Sequence, residues 1–129
     1  MFLSVLSTAC SITETLESVE SSVQTFHRRL DEARYQEIYS DAHADYRSAA
    51  PEPRSTELLQ AIHTKLGIVK AASRSTWNVN YGTHGKIVTA VYDTVFENGK
   101  ATETFVFQCS GENARLVGYN INSRDLIVK

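Results

Sequence analysis

Apolar residues in the first half of the chain recur at helical spacing. Ile12, Leu16, Val19, Val23, Phe26 and Leu30 follow one another at alternating steps of four and three, which places them on one stripe of a helix. Ser11 followed by Glu14 has capping-box spacing and marks the expected start. The stripe lasts under three heptads, so it suits packing on a sheet better than a coiled-coil seam. Asp31-Glu32-Ala33-Arg34 interrupts it, and a second short helical stretch carries Tyr35, Ile38 and Tyr39, with Tyr46 on a further turn. Pro51-Glu52-Pro53 is a hard break. A third helix is expected from Ser55 or Thr56, with Leu58, Leu59, Ile62 and Leu66 on one face and Gly67 as its C-terminal cap.

From Ile68 onward the period changes to two. Glu97-Asn98-Gly99-Lys100 lies between alternating segments, and Asn-Gly there predicts a two-residue type I′ hairpin. That turn sets Phe96 opposite Ala101, Tyr92 opposite Phe105, Ala90 opposite Phe107 and Val88 opposite Cys109, with Glu97 and Lys100 as an exposed charge pair. One face then holds Val88, Ala90, Tyr92, Phe96, Phe105, Phe107 and Cys109, a core face. The preceding turn, Gly82 to Gly85, pairs Tyr81 with Lys86. It brings Trp77 and Val79 to the same face while Thr76, Asn78 and Asn80 point away. The last hairpin has two readings. An even loop from Ser110 to Asn113 sends Val117, Tyr119 and Ile121 to the opposite face, with Ile87, Val91, Val95 and Val106; an odd loop or a bulge at Gly118 turns them inward. The expected fold is α+β, a long N-terminal helix and short helices packed on a curved four-stranded antiparallel meander.

The chain has 129 residues, enough for one domain with a real core, here taken as residues 11–129. Thirteen basic and 15 acidic residues give a net charge of −2, and the basic residues form no stripe, so no nucleic-acid partner is expected. No apolar run is long enough to span a bilayer. Residues 1–10, Met-Phe-Leu-Ser-Val-Leu-Ser-Thr-Ala-Cys, end an apolar run in small residues before Cys10, which resembles the lipobox of bacterial lipoprotein signals. Ser7 stands where a Leu-like residue is usual, and no Lys or Arg precedes the run; a start codon further upstream would account for both. The resemblance implies lipidation at Cys10 and a periplasmic or membrane-anchored protein, attached only through that lipid. The alternative is an apolar tail, or a first helical turn with Cys10 packed, on a cytoplasmic protein. A Cys10–Cys109 disulfide is open, since spacing gives no geometry.

The order of elements is similar to the cystatin-like or nuclear-transport-factor-like cone folds. More narrowly, Leu30-Asp31-Glu32-Ala33-Arg34-Tyr35, Lys65-Leu66-Gly67, Leu116-Val117-Gly118-Tyr119 and Asn120-Ile121-Asn122-Ser123 resemble small bacterial exported proteins grouped as domains of unknown function. The resemblance implies a curved sheet wrapped on the long helix and no particular activity.

Candidate chemistry is sparse. Asp41-Ala42-His43-Ala44-Asp45 alternates metal-capable residues, but on a helix only Asp41 and Asp45 share a face, and it reads better as a helix start with acidic residues in its first turn. His27, His43, His63 and His84 show no ligand spacing and read as surface or boundary residues. Cys109 falls on the core face, where thiols are inert. No metal or cofactor is expected. Glu103 is sharper: it shares a face with Trp77, Tyr92 and Phe105, where a carboxylate could serve as a general base beside the Tyr92 hydroxyl. The competing reading leaves Glu103 near the hairpin end, opposite Thr94 and reaching water.

Three functions remain in view. The first is a non-enzymatic exported domain that binds a partner, itself through the sheet or another envelope protein, using Ile87, Val91, Val95 and Val106. The second is a small-molecule or isomerase/hydratase-like site lined by Trp77, Tyr92, Glu103 and Phe105. The third is a periplasmic inhibitor or immunity-type protein. An open cone favours the second; a cone filled by Phe26, Leu30, Ile62 and Leu66 favours the first.

Overall fold

The computed structural model describes residues 12–83, 85–111 and 113–128. Ser11, Cys10 and the rest of the N-terminal signal-like stretch lie outside them, as do His84 and the capping-box partner of Glu14. The elements are α1 (Ile12–Asp31), α2 (Tyr35–Asp41), α3 (Ala44–Ala49), α4 (Glu52–Leu66), β1 (Val69–Gly82), β2 (Gly85–Phe96), β3 (Gly99–Ser110), β4 (Asn113–Asn122) and α5 (Arg124–Val128). The strands form one open antiparallel sheet in the order β1-β2-β3-β4. The α+β architecture expected from the periodicities is therefore the one found.

The α1 stripe packs as its spacing requires: Val19, Val23, Phe26 and Leu30 are buried, while Ile12 at the helix start is exposed. Asp31 fastens the other end, its Oδ1 accepting the Val69 amide at 3.0 Å where β1 begins. The second helical stretch is two helices. Ala42 and His43 are extended, and His43 Nδ1 accepts the Asp45 amide at 3.0 Å as the N-cap of α3. Asp45 is thus a first-turn acid, and Asp41 and Asp45 belong to different helices. The third expected helix starts earlier than Ser55: Pro51 is its N-cap and Pro53 lies in its first turn, where missing amides cost nothing. Leu59, Ile62 and Leu66 are buried, but Leu58 faces solvent. Gly67 caps the helix with φ +79 and its amide bonded to the His63 carbonyl.

The β1–β2 register is as expected, with Tyr81 opposite Lys86, Val79 opposite Val88 and Trp77 opposite Ala90. The β2–β3 register is not. Phe96 pairs with Gly99, Ala90 with Phe105, Val88 with Phe107 and Lys86 with Cys109, and Lys100 lies opposite Val95 rather than Glu97. The connecting residues are Glu97 and Asn98, and Gly99 is already strand. The type I′ turn fails because it needs positive φ at Asn98 and Gly99; among the described residues positive φ occurs at Ala33, Gly67, Gly85 and Gly111. The tip has other duties. The amides of Glu97 and Asn98 donate to the carbonyls of Ile68 and Leu66, each at 2.8 Å, satisfying the end of α4. Gly99 is small for a different reason: a Cβ there would sit 2.6 Å from Asp125 of α5. The displacement along β3 is two residues, so each side chain keeps its face. Val88, Ala90, Tyr92, Phe96, Phe105, Phe107 and Cys109 are all buried.

The last hairpin takes the bulged reading. Phe107 pairs with Leu116 and Val106 with Gly118, leaving Val117 as the extra residue. Ala114 and Leu116 face inward before the bulge, Tyr119 and Ile121 after it, and the latter two pack against the core. The outer face thus loses two of its seven expected apolar members. It keeps Ile87, Val91 and Val106, half-buried, and Val95, exposed.

Candidate functional site

The inner face of the sheet carries one carboxylate, and the fold closes around it. Glu103 sits on β3 opposite Tyr92, with none of its surface exposed. Three donors from three elements reach it. His27 of α1 donates from Nε2 to Oε1 at 2.7 Å, Thr94 of β2 donates its hydroxyl to the same oxygen at 2.6 Å, and Tyr119 of β4 donates to Oε2 at 2.6 Å. A buried carboxylate without partners is prohibitively costly, so this set is what permits Glu103 to be there. Burial, reinforced by the adjacent Glu103 charge, holds the Tyr119 hydroxyl well above its ordinary pKa.

Aromatic rings seal the network. Phe105, next but one to Glu103 along the strand, meets Phe26 edge-on at 5.1 Å, Tyr119 at 5.1 Å, Tyr92 at 5.6 Å and His27 at 5.9 Å between ring centroids. Around Glu103 the space between α1 and strands β2 to β4 is therefore filled by the chain's own rings.

These contacts correct two expectations. Glu103 neither reaches water nor pairs with Tyr92: the Tyr92 hydroxyl donates to Glu20 of α1 at 2.7 Å, a carboxylate that Arg74 of β1 also approaches at 3.3 Å. His27 is no boundary residue; it is 7% exposed and anchors α1 to the sheet. The sequence did carry a signal for it, since His27 stands four residues after Val23 and three before Leu30, on the inner stripe.

Of the four residues expected to line a ligand site, Tyr92, Glu103 and Phe105 come together in the core. Trp77 shares their face but lies at the sheet edge, 43% exposed. Surface hollows flank α1, and two of them border core residues. One, of about 450 Å³, runs between α1 and β1 past Glu20, His27, Asp31 and Ala72. The other, of about 210 Å³, lies over Phe26, Ile38, Phe107 and Leu116, beside the 2.7 Å ion pair of Arg29 and Asp41. Neither is lined by Tyr92, Glu103 or Phe105. Among the described residues, no three His, Cys, Asp or Glu side chains gather as a metal site. Nor is any described helix long and apolar enough to cross a membrane.

Fold and site together define a two-layer α+β domain whose most elaborate polar cluster faces its own interior. Residues 22–119 match the model of a protein family of unknown function, DUF4019, and the chain belongs to that family. The matched span contains all four members of the network, His27, Thr94, Glu103 and Tyr119. The curated proteins give no match.

Proposed function

We propose that this chain is a non-enzymatic interaction domain of the bacterial cell envelope, a curved-sheet relative of the cystatin-like and nuclear-transport-factor-like folds. The observation that supports the reading is the closed interior. Both Glu103 oxygens are taken by the chain's own donors, and Phe26, Phe105 and Tyr119 occupy the space a substrate would need. A domain filled in this way works through its surface. Placement in the envelope rests on the lipobox-like stretch ending at Cys10.

The surface we assign to binding is the outer face of the sheet, around Ile87, Val91, Val95 and Val106. β-Branched residues also persist in exposed strands through propensity alone, so the assignment needs a direct test. With a second copy as the occupant, Val91→Lys combined with Val106→Lys should halve the mass of the assembly in light scattering while circular dichroism stays unchanged. An unchanged mass would remove the outer face as a self-contact.

A further inference from the structure

The most exposed aromatic residues of the sheet stand on one edge. β1 is the first strand in the sheet order, so among the described residues one side of its backbone has no strand neighbour. Trp77 and Tyr81 on it are 43% and 76% exposed. From Thr76 to Gly82 its register with β2 is unbroken, the irregularities lying nearer its start, at Val69/Ala71 and Arg74/Thr76. Gly82 and Gly85 close a two-residue loop, so they form a hydrogen-bonded pair. Alternation then turns the backbone groups of Tyr81, Val79 and Trp77 away from β2.

Edge strands are ordinarily blunted by lysine, proline, a bulge or an inward charge. None of these occurs between Thr76 and Gly82. The opposite edge is managed differently: on β4 the Leu116 carbonyl accepts the His43 amide at 2.8 Å, and the Ala114 carbonyl accepts the Ser22 hydroxyl at 3.1 Å.

The bare segment reads Thr-Trp-Asn-Val-Asn-Tyr-Gly, nearly the same in both directions about Val79. We propose that this edge pairs with the same edge of a second copy, antiparallel about a two-fold axis through Val79, joining two four-stranded sheets into one. Trp77 then lies opposite the other copy's Tyr81 on one face, and Asn78 opposite its Asn80 on the other, each pairing made twice. Val79 meets its own counterpart. Aromatic cross-strand pairs are among the stabilising ones, and amide side chains can bond across a pair. Asn78 and Asn80 are already aligned, the Asn80 amide donating to Asn78 Oδ1 at 3.0 Å. From Ser75 to Gly82 the strand holds no charged residue, so two copies meet without like-charge repulsion. Self-complementarity of this kind selects a second copy over an unrelated strand, and a two-fold contact is isologous by construction. The edge and the outer face are different surfaces, and this inference stands whether or not the face binds anything.

Light scattering on the whole chain at several hundred micromolar tests it. Trp77→Lys with Tyr81→Lys sets lysine against lysine twice and should weaken the edge contact at least about tenfold, halving the assembly. Trp77→Lys with Tyr81→Glu sets opposite charges in the same places and should restore it at low salt. If the first variant misfolds, Asn78→Lys with Asn80→Lys makes the same like-charge test on the other face. A monomeric wild type overturns the proposal. So does a dimer that the edge variants leave intact and that Val91→Lys with Val106→Lys splits, an outcome favouring the face reading. A dimer split by the edge variants alone supports the edge and sinks the face. Failure of the opposite-charge variant to reassociate refutes the register about Val79.

Discussion

The two faces of the sheet are built from alternate residues of the same strands and obey different rules. On the inner face, Phe105 is surrounded by five other rings and Glu103 by three donors, so each position depends on particular partners. On the outer face, Thr89, Val91, Thr104 and Val106 are half-buried, and their type is what strand propensity favours anywhere. The lesson is that burial alone does not make a residue apolar. A carboxylate is tolerated at the centre of an aromatic cluster once its partners arrive from three elements, and it then ties those elements together.

Substitutions should separate the faces. The largest effect is expected from Glu103→Ala, which strands three buried donors and opens a cavity, at a cost of about 3–5 kcal/mol in denaturant unfolding. Glu103→Gln keeps the shape and one acceptor, and should cost clearly less. A Glu103→Gln variant as stable as the wild type would mean that volume, not the polar network, holds the inner face.

Tyr119→Phe should come next, at about 1.5–3 kcal/mol for a hydrogen bond to a charged acceptor. It also has a signature in alkali. Burial raises the pKa of Tyr119, and burial with the bond to Glu20 raises that of Tyr92, so the native state holds both protons more tightly than the unfolded chain does. Stability from these groups is complete below the ordinary value of 10.0 and falls as pH climbs from there toward the raised values. Unfolding curves from pH about 8 to about 11 should show that decline in the wild type and a shallower one in Tyr119→Phe. Identical slopes would mean that this hydroxyl is not the buried donor described.

The smallest effect is expected on the outer face. Val91→Thr should change stability by no more than about 0.5 kcal/mol. A loss several times larger would show that something packs on that face.

Much of this architecture was legible in the chain. The α1 stripe, the change to period two and the inner-face residues all followed from spacing, because burial repeats with the geometry of the element. The β2–β3 register was not. Asn98-Gly99 is a strong local signal, yet the tip is held by the end of α4 and by Asp125, contacts that no local pattern encodes. The face assignment survived because the displacement was even. Glu103 stood out in the sequence for its position, but its partners were harder to see: His27 lies on the inner stripe of α1 yet reads as a boundary residue by its type, and Tyr119 turns inward only because of the bulge at Val117. Trp77 was placed on the correct face, but the sequence could not show that the helices leave that edge unroofed.

The Glu103 network also bears on how the chain reaches its native state. Its donors are spread along the sequence, Thr94 nine residues before the carboxylate, Tyr119 sixteen after it and His27 seventy-six before it. As the polypeptide leaves the ribosome, α1 and the first hairpin emerge with the charge that will anchor them still unmade. Once β3 appears, its carboxylate lacks the Tyr119 donor until β4 follows and bulges. Burying Glu103 before then would leave its Oε2 without the donor it has in the finished fold. The last strand is therefore expected to complete the network, with helix docking, carboxylate burial and ring packing coupled to its arrival. Unfolding should accordingly be a single cooperative transition, with no stable sub-structure composed of α1 and the first three strands.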